Sequence, residues 1–437
     1  MKKMVAGLLI AGMLMALPTG CAKKTTSTTA GGVTVIELPE TKIETAKREN
    51  GNQAVFELAN KQSGKIAMSD EELKKAYSEF VLGVMKRCVE MSNGTNVMIS
   101  ADSILLALEM TAAGANGNTL DQMTQTMLPG ADNVTALEFA SKRMKSLQND
   151  SLAIANSIWM NSGKTNRVYA DYLDFVKQTF DAEVSAVAFD PAGAATINKW
   201  VEAKTKGRIK ELIKELSPEG LMVLVNAITF DGKWKTEYTE NDVATKSFTN
   251  GKGDTKEVTF LNSTESVFLN NEKATGFLKD YDDGKYAFMT ILPNDKAMDI
   301  NEFIANMTTE EYWAFWESQS TEWDVTTSMP EFKSEYMVEL QTVLKDMGMT
   351  DAFTPGVADF SNMATSDPTV SQVVHKTYID VNREGTAAAA ATAVIMYDEA
   401  VMISKETRSV ICNRPYAYAV VEKDTGLPVF FGTVENV

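Results

Sequence analysis

Glu384-Gly385-Thr386-Ala387-Ala388-Ala389-Ala390-Ala391-Thr392-Ala393-Val394-Ile395 is the stretch whose reading decides the fold. Its local signals conflict. The alanine run from Ala387 to Ala391 has the strongest intrinsic preference for helix. Thr392, Val394 and Ile395 are β-branched and lean towards strand. Just before it, Tyr378-Ile379-Asp380-Val381 alternates as a strand does, and Gly385 supplies a backbone free to turn. No charge and no proline falls between Gly385 and Tyr397, so nothing bars the segment from a sheet. In an extended conformation the even-numbered side chains from Thr386 to Met396 share one face, and all are small or apolar. Two readings follow: an alanine-rich surface helix or loop, or a segment built to be stable twice, once as a loop and once as a strand.

Working outward, His375-Lys376 precedes the stretch and Asn413-Arg414-Pro415-Tyr416 follows it. Far upstream, Ser69-Asp70-Glu71-Glu72 opens a helix, with acidic residues in its first turn and apolar residues at helical spacing from Ala76 to Cys88. Asn96 to Leu105 runs from a short strand into a helix that closes at Gly114-Ala115-Asn116-Gly117. Strands follow at Asn156–Met160, Leu224–Phe230, Ala287–Pro293 and from Met329. A Gly232-Lys233-Trp234 turn lies among them, then a helix capped at Gly348 and an apolar hairpin at the end of the chain. In this order and spacing, over residues 69–437, these pieces resemble the serpins, with the alanine-rich stretch as hinge and reactive loop. Four positions depart from the family: Ala101 stands for a proline, Ala387 and Arg383 each for a glutamate, and Pro428 for an apolar residue. The Arg383 change leaves a salt bridge at the base of the loop either missing or reversed.

The resemblance implies an α+β serpin fold with three β-sheets, eight or nine helices and an exposed reactive loop. It implies a hinge at Glu384, Gly385, Thr386, Ala388, Ala390 and Thr392, whose small inward side chains can enter the central sheet. It also implies a structural cluster of Ser100, Ser103, Asn226 and His375 beneath the two central strands, with His375 paired to Asn226. The function implied is a suicide-substrate inhibitor of a serine or cysteine protease. The protease attacks the loop and forms its own acyl-enzyme. The cut loop then inserts as a new central strand, about 15 residues at roughly 3.3 Å each, and drags the protease on the order of 50 Å. Counting from Gly385 places the reactive bond at Glu399–Ala400, with Met402 and Lys405 as alternatives. Two rivals keep part of this picture: a non-inhibitory serpin that binds or carries a ligand, and a ligand-binding lipoprotein.

The composition agrees with an inhibitor better than with an enzyme. His375 is the one histidine of 437 residues, and no Gly-x-Ser-x-Gly elbow or zinc-like spacing accompanies it. No catalytic residue, metal or cofactor is expected. A formal charge of −17 argues against nucleic acid as a partner. Lys142, Arg143 and Lys145 form a small basic cluster, read as a solvated helix face. Residues 1–20 read as a signal peptide: Lys2-Lys3 leads an apolar run too short to span a bilayer. Ala16 to Cys21 resembles a bacterial lipobox, which makes Cys21 the lipidation site and residues 21–68 a tether and N-terminal extension. Cys88 and Cys412 are expected buried and unpaired. The expected partners are a target protease and, through the lipid, a bacterial membrane or cell surface, with the chain acting as a monomer.

Overall fold

The computed structural model describes residues 43–47, 68–147, 149–366, 368–386 and 405–437, together with two short strands, Thr28–Ala30 and Val33–Val35, that pair antiparallel. Those strands lie in a unit of their own, Met1–Glu40, while Thr41–Val437 forms one compact unit. Expectations for residues 1–20, Cys21, Ala388, Ala390, Thr392, Glu399, Ala400 and Met402 fall outside the described residues. Inside the expected N-terminal extension, Ala46 donates its N–H to Val168 O at 2.8 Å and accepts from Ala170 N at 3.3 Å.

The described residues hold nine α-helices. The first, Asp70–Met91, starts where the sequence places it: Ser69 accepts from Glu72 N, and the Glu72 carboxylate answers to Ser69 N, satisfying two orphan donors. Its apolar face, including Phe80, Val84, Met85 and Cys88, is buried. No helix among the described residues is long and apolar enough to cross a membrane.

A seven-stranded sheet sits at the centre of the core. Its middle strands, Tyr286–Pro293, Tyr416–Glu422 and Pro428–Val434, are buried at every residue. Alternation sends Ala287, Met289, Ala417 and Ala419 into one apolar cluster, with helix Asp70–Met91. Tyr286, Phe288, Tyr416 and Tyr418 go into a second cluster on the other face. Small side chains meet the helices and aromatic ones fill the wider gap. A four-stranded sheet holds Thr407–Ile411, Asp324–Pro330, Thr255–Glu265 and Val243–Thr249 in that order.

The third expected sheet differs from expectation, because it is divided along its middle. One part carries Glu183–Val187, Leu152–Asn161 and Met222–Phe230. The other carries Phe332–Glu339, Val374–Val381, Gly385–Thr386 and Gly232–Lys233. Among the described residues no backbone pair joins Met222–Phe230 to Val374–Val381. Pro330, expected inside a single strand, instead ends one strand just before Phe332 opens the next.

Candidate functional site

Gly385–Thr386 occupies the head of the division in that sheet. Thr386 pairs with Val381 on one side and Gly232 on the other, and Gly385 pairs with Lys233. Only glycine fits at 385, since a Cβ there would sit 2.1 Å from Gly232 O. Thr386 is 1% exposed, and its hydroxyl shares a 2.6 Å hydrogen bond with the buried Tyr281 hydroxyl. The first inward hinge residue is therefore already seated.

The turn before it is gripped by two aromatic residues. Trp234 donates its indole N–H to Asn382 O at 2.8 Å and its backbone N–H to Glu384 O at 3.0 Å. Tyr238 N donates to Arg383 O at 3.0 Å. Asn382 closes the turn through its own side chain, accepting from Glu384 N at 2.9 Å. Trp234 stacks on Tyr281, with centroids 4.6 Å apart. Arg383 pairs with Glu240 and, at 3.4 Å, with Glu331. The salt bridge at the base of the loop is thus reversed, with the cation on the loop side and both carboxylates on the scaffold.

Below the seated hinge, a cleft of about 430 Å³ opens between the two halves of the sheet. Leu224 and Asn226 line one wall, Val374 and His375 the other, and Ser103 and Leu340 lie among the residues that complete it. Of the four predicted cluster residues, Ser103, Asn226 and His375 line the cleft and Ser100 is bonded to His375, but the expected His375–Asn226 pair is not made. His375 Nε2 accepts from Ser100 N at 3.0 Å. Asn226 instead accepts from Ser103 Oγ and donates to Asn156 Oδ1 at 2.6 Å. The cleft separates the strands that carry the two residues, and each has turned to its own side. Burial holds the His375 pKa down to about 4, so the ring is neutral near pH 7, its Nε2 lone pair facing the amide.

The far foot of the loop is tied to another sheet. Thr407–Ile411 pairs in parallel with Asp324–Ser328. Lys405, an alternative scissile residue, donates its ammonium to Thr321 O at 2.7 Å. Arg408 lies 3.6 Å over the Trp323 ring.

Two other expectations have outcomes. Cys88 and Cys412 are free and buried, and burial pushes their thiols up to about 11 and about 12. Arg143 is not on a solvated face. It is buried, bound to Asp102 through two nitrogens at 3.0 and 2.8 Å and to Glu422 at 2.7 Å, because two carboxylates and the Tyr77 ring await it inside. No group of His, Cys, Asp and Glu able to hold a metal occurs among the described residues. Sequence reasoning missed Asn156, Tyr281 and Asn382. Asn156 alone carried a signal, as a buried amide beside an apolar strand.

The family model for serpins, serine protease inhibitors, matches residues 75–437. The chain is 32% identical over 354 residues to an uncharacterised serpin-like protein of Methanosarcina acetivorans, covering 78% of this chain and 81% of that one. It resembles the solved native state of the thermophilic serpin tengpin, with a TM-score of 0.76 and 32% identity, over 90% of this chain and 98% of that one. The human thyroxine-binding globulin complexed with its thyroid hormone shares the fold at a TM-score of 0.72 and 24% identity, over 84% and 98% of the two chains.

Proposed function

The chain belongs to the serpin family, and from that premise we propose that it is a suicide-substrate inhibitor of a serine or cysteine protease rather than an enzyme. The observation that carries the proposal is the seated start of the hinge at the head of the divided sheet, with a cleft further down between the same two halves. Cleavage of the loop frees the residues after Thr386 to continue down that cleft. Each gains backbone partners from Met222–Phe230 on one side and Val374–Val381 on the other. Small inward side chains at Ala388, Ala390 and Thr392 enter without desolvating charge. The acylated protease travels with the strand before it can hydrolyse the ester. Glu399–Ala400 is the favoured reactive bond, with Met402 next, since the Lys405 ammonium is held at the foot of the loop. Cys21 carries the lipid that anchors the monomer to a bacterial membrane or surface after signal cleavage. The deciding experiment incubates the protein with a panel of serine and cysteine proteases. A complex that survives boiling in detergent supports the proposal, and cleavage of the loop by every protease without any such complex defeats it.

A second reading, a carrier, has one observation in its favour. A cavity of about 300 Å³, lined by Ala274, Ile291, Phe303 and Phe315 and by charged residues that include Lys273 and Glu311, opens beside helices Ile300–Ala305 and Thr309–Glu317. Saturable binding of a small apolar ligand, blocked by Ala274→Trp, together with no trapping, would establish it.

A further inference from the structure

We infer that Lys279, with Glu265, is a positioning residue for loop insertion: it sets the two aromatic residues that grip the hinge. This rests on the inhibitory reading above only for its second readout. Lys279 lies in strand Ala274–Asp280 and is 2% exposed. A buried ammonium costs several kcal/mol unless it is paired, and here three groups answer it. Glu265 Oε1 lies 2.9 Å away, the Tyr238 ring centroid 4.2 Å and the Trp234 ring centroid 5.5 Å. Both rings present their π-systems to one cation. The same two residues supply every scaffold hydrogen bond to the backbone carbonyls of Asn382, Arg383 and Glu384. Lys279 makes no hydrogen bond or ion pair with residues 382–386, so its effect on the hinge passes through Trp234 and Tyr238.

Glu265 extends the connection. It ends strand Thr255–Glu265, which belongs to the four-stranded sheet, whereas Lys279 belongs to the seven-stranded one. Its Oε1 also accepts from Ser263 Oγ at 2.6 Å, and that hydroxyl bonds Thr327 Oγ1 at 2.9 Å. Thr327 is paired with Val410 at the far foot of the loop. One buried ion pair therefore stands between the grip on the hinge and the strand that holds the other end. An apolar residue of equal length would fill the space under the rings, but it would neither fix their tilt nor bind the second sheet.

The test compares wild type with Lys279→Met, Lys279→Arg and Glu265→Gln in the full chain. The first readout is hydrogen exchange at the amides of Trp234 and Tyr238, which are bonded to Glu384 O and Arg383 O. It needs no protease. Lys279→Met and Glu265→Gln should speed exchange there at least tenfold beyond any change in the strands of the seven-stranded sheet, and Lys279→Arg should keep most of the protection. The second readout is the stoichiometry of inhibition with a protease that wild type traps, which should rise at least threefold in the two neutral variants. Unchanged exchange at the two amides, or acceleration spread evenly over the molecule, overturns the inference. If wild type traps no protease, the inhibitory reading fails and the exchange result decides the positioning role alone. Should Lys279→Met not fold, Glu265→Gln carries the same two outcomes.

Discussion

On the proposed mechanism, replacing Thr386 with arginine should turn the inhibitor into a substrate. Thr386 is seated at the head of the divided sheet, 1% exposed, and its hydroxyl is bonded to the Tyr281 hydroxyl. The uncut chain already makes that bond, so its loss weighs equally before and after insertion. An arginine leaves the site in the uncut chain, and forcing its unpaired guanidinium back in on insertion costs several kcal/mol. Even a cost near 3 kcal/mol slows insertion by roughly a hundredfold, since each 1.36 kcal/mol is about tenfold in rate. Hydrolysis of the acyl-enzyme is untouched, so the balance moves to turnover. Thr386→Val makes a control: it keeps the shape and loses only a hydroxyl whose bond the uncut chain already makes, so it should insert near the wild-type rate. The assay is residual protease activity across inhibitor-to-protease ratios, with gel detection of the stable complex. Intact Thr386→Arg should show a thermal midpoint close to wild type, because the residue can leave the cleft without unfolding the body. Trapping by Thr386→Arg at wild-type stoichiometry would refute the account of the hinge.

Cleavage within residues 394–406 should raise the thermal midpoint sharply, measured by scanning calorimetry on intact and nicked protein, because the added strand gains partners on both sides. An unchanged midpoint would count against insertion. Two buried groups should give the intact protein opposed pH dependences that largely cancel between pH 4.5 and 6.5. His375 has a folded pKa lowered to about 4 from 6.5, so the native state binds fewer protons and about 3 kcal/mol is lost as pH falls from 6.5 towards 4. Glu109, raised by burial to about 8 from 4.5, makes the native state bind more protons, so stability falls as pH rises from 4.5 through 8. His375→Gln should remove the acid limb and Glu109→Gln the alkaline one, read as thermal midpoint against pH. Arg383→Glu should speed polymerisation on warming severalfold, since it sets a third carboxylate against Glu240 and Glu331. Adding Glu331→Lys should restore most of the wild-type rate, and failure to do so would detach the reversed salt bridge from loop retention.

The strand at Gly385–Thr386 was legible in the sequence because its signal is local. A row of small side chains at period two announces strand competence whatever lies around it, and the seated Thr386 agrees. The helix opened by Ser69 and Glu72 was legible for the same reason. Arg143 was misread because its neighbours Lys142 and Lys145 make a surface-like triplet, whereas its carboxylates, Asp102 and Glu422, lie 41 and 279 positions away. Tyr281, 105 residues before Thr386, carries no mark that it will meet the hinge. The His375–Asn226 pair failed for a different reason. Residue types and order place both groups at the middle of the sheet, but whether they touch depends on whether the sheet is shut, which is a property of a state rather than of a sequence.

The same arrangement suggests how the proposed insertion is opposed in the uncut chain. Eighteen residues, 387–404, join Thr386 to Lys405. The near foot is held by Trp234 and Tyr238, and the far foot by the parallel pairing of Thr407–Ile411 and the Lys405 ammonium. Every further residue that entered the cleft would be subtracted from this span and would move the near end about 3.3 Å further down the sheet. With both feet fixed, the gain in strand pairing is set against a shortening tether. On the proposed mechanism, cutting the loop between the feet removes the opposing side alone, and the inserted residues keep all of their pairing, so the driving force for trapping is stored in the intact fold.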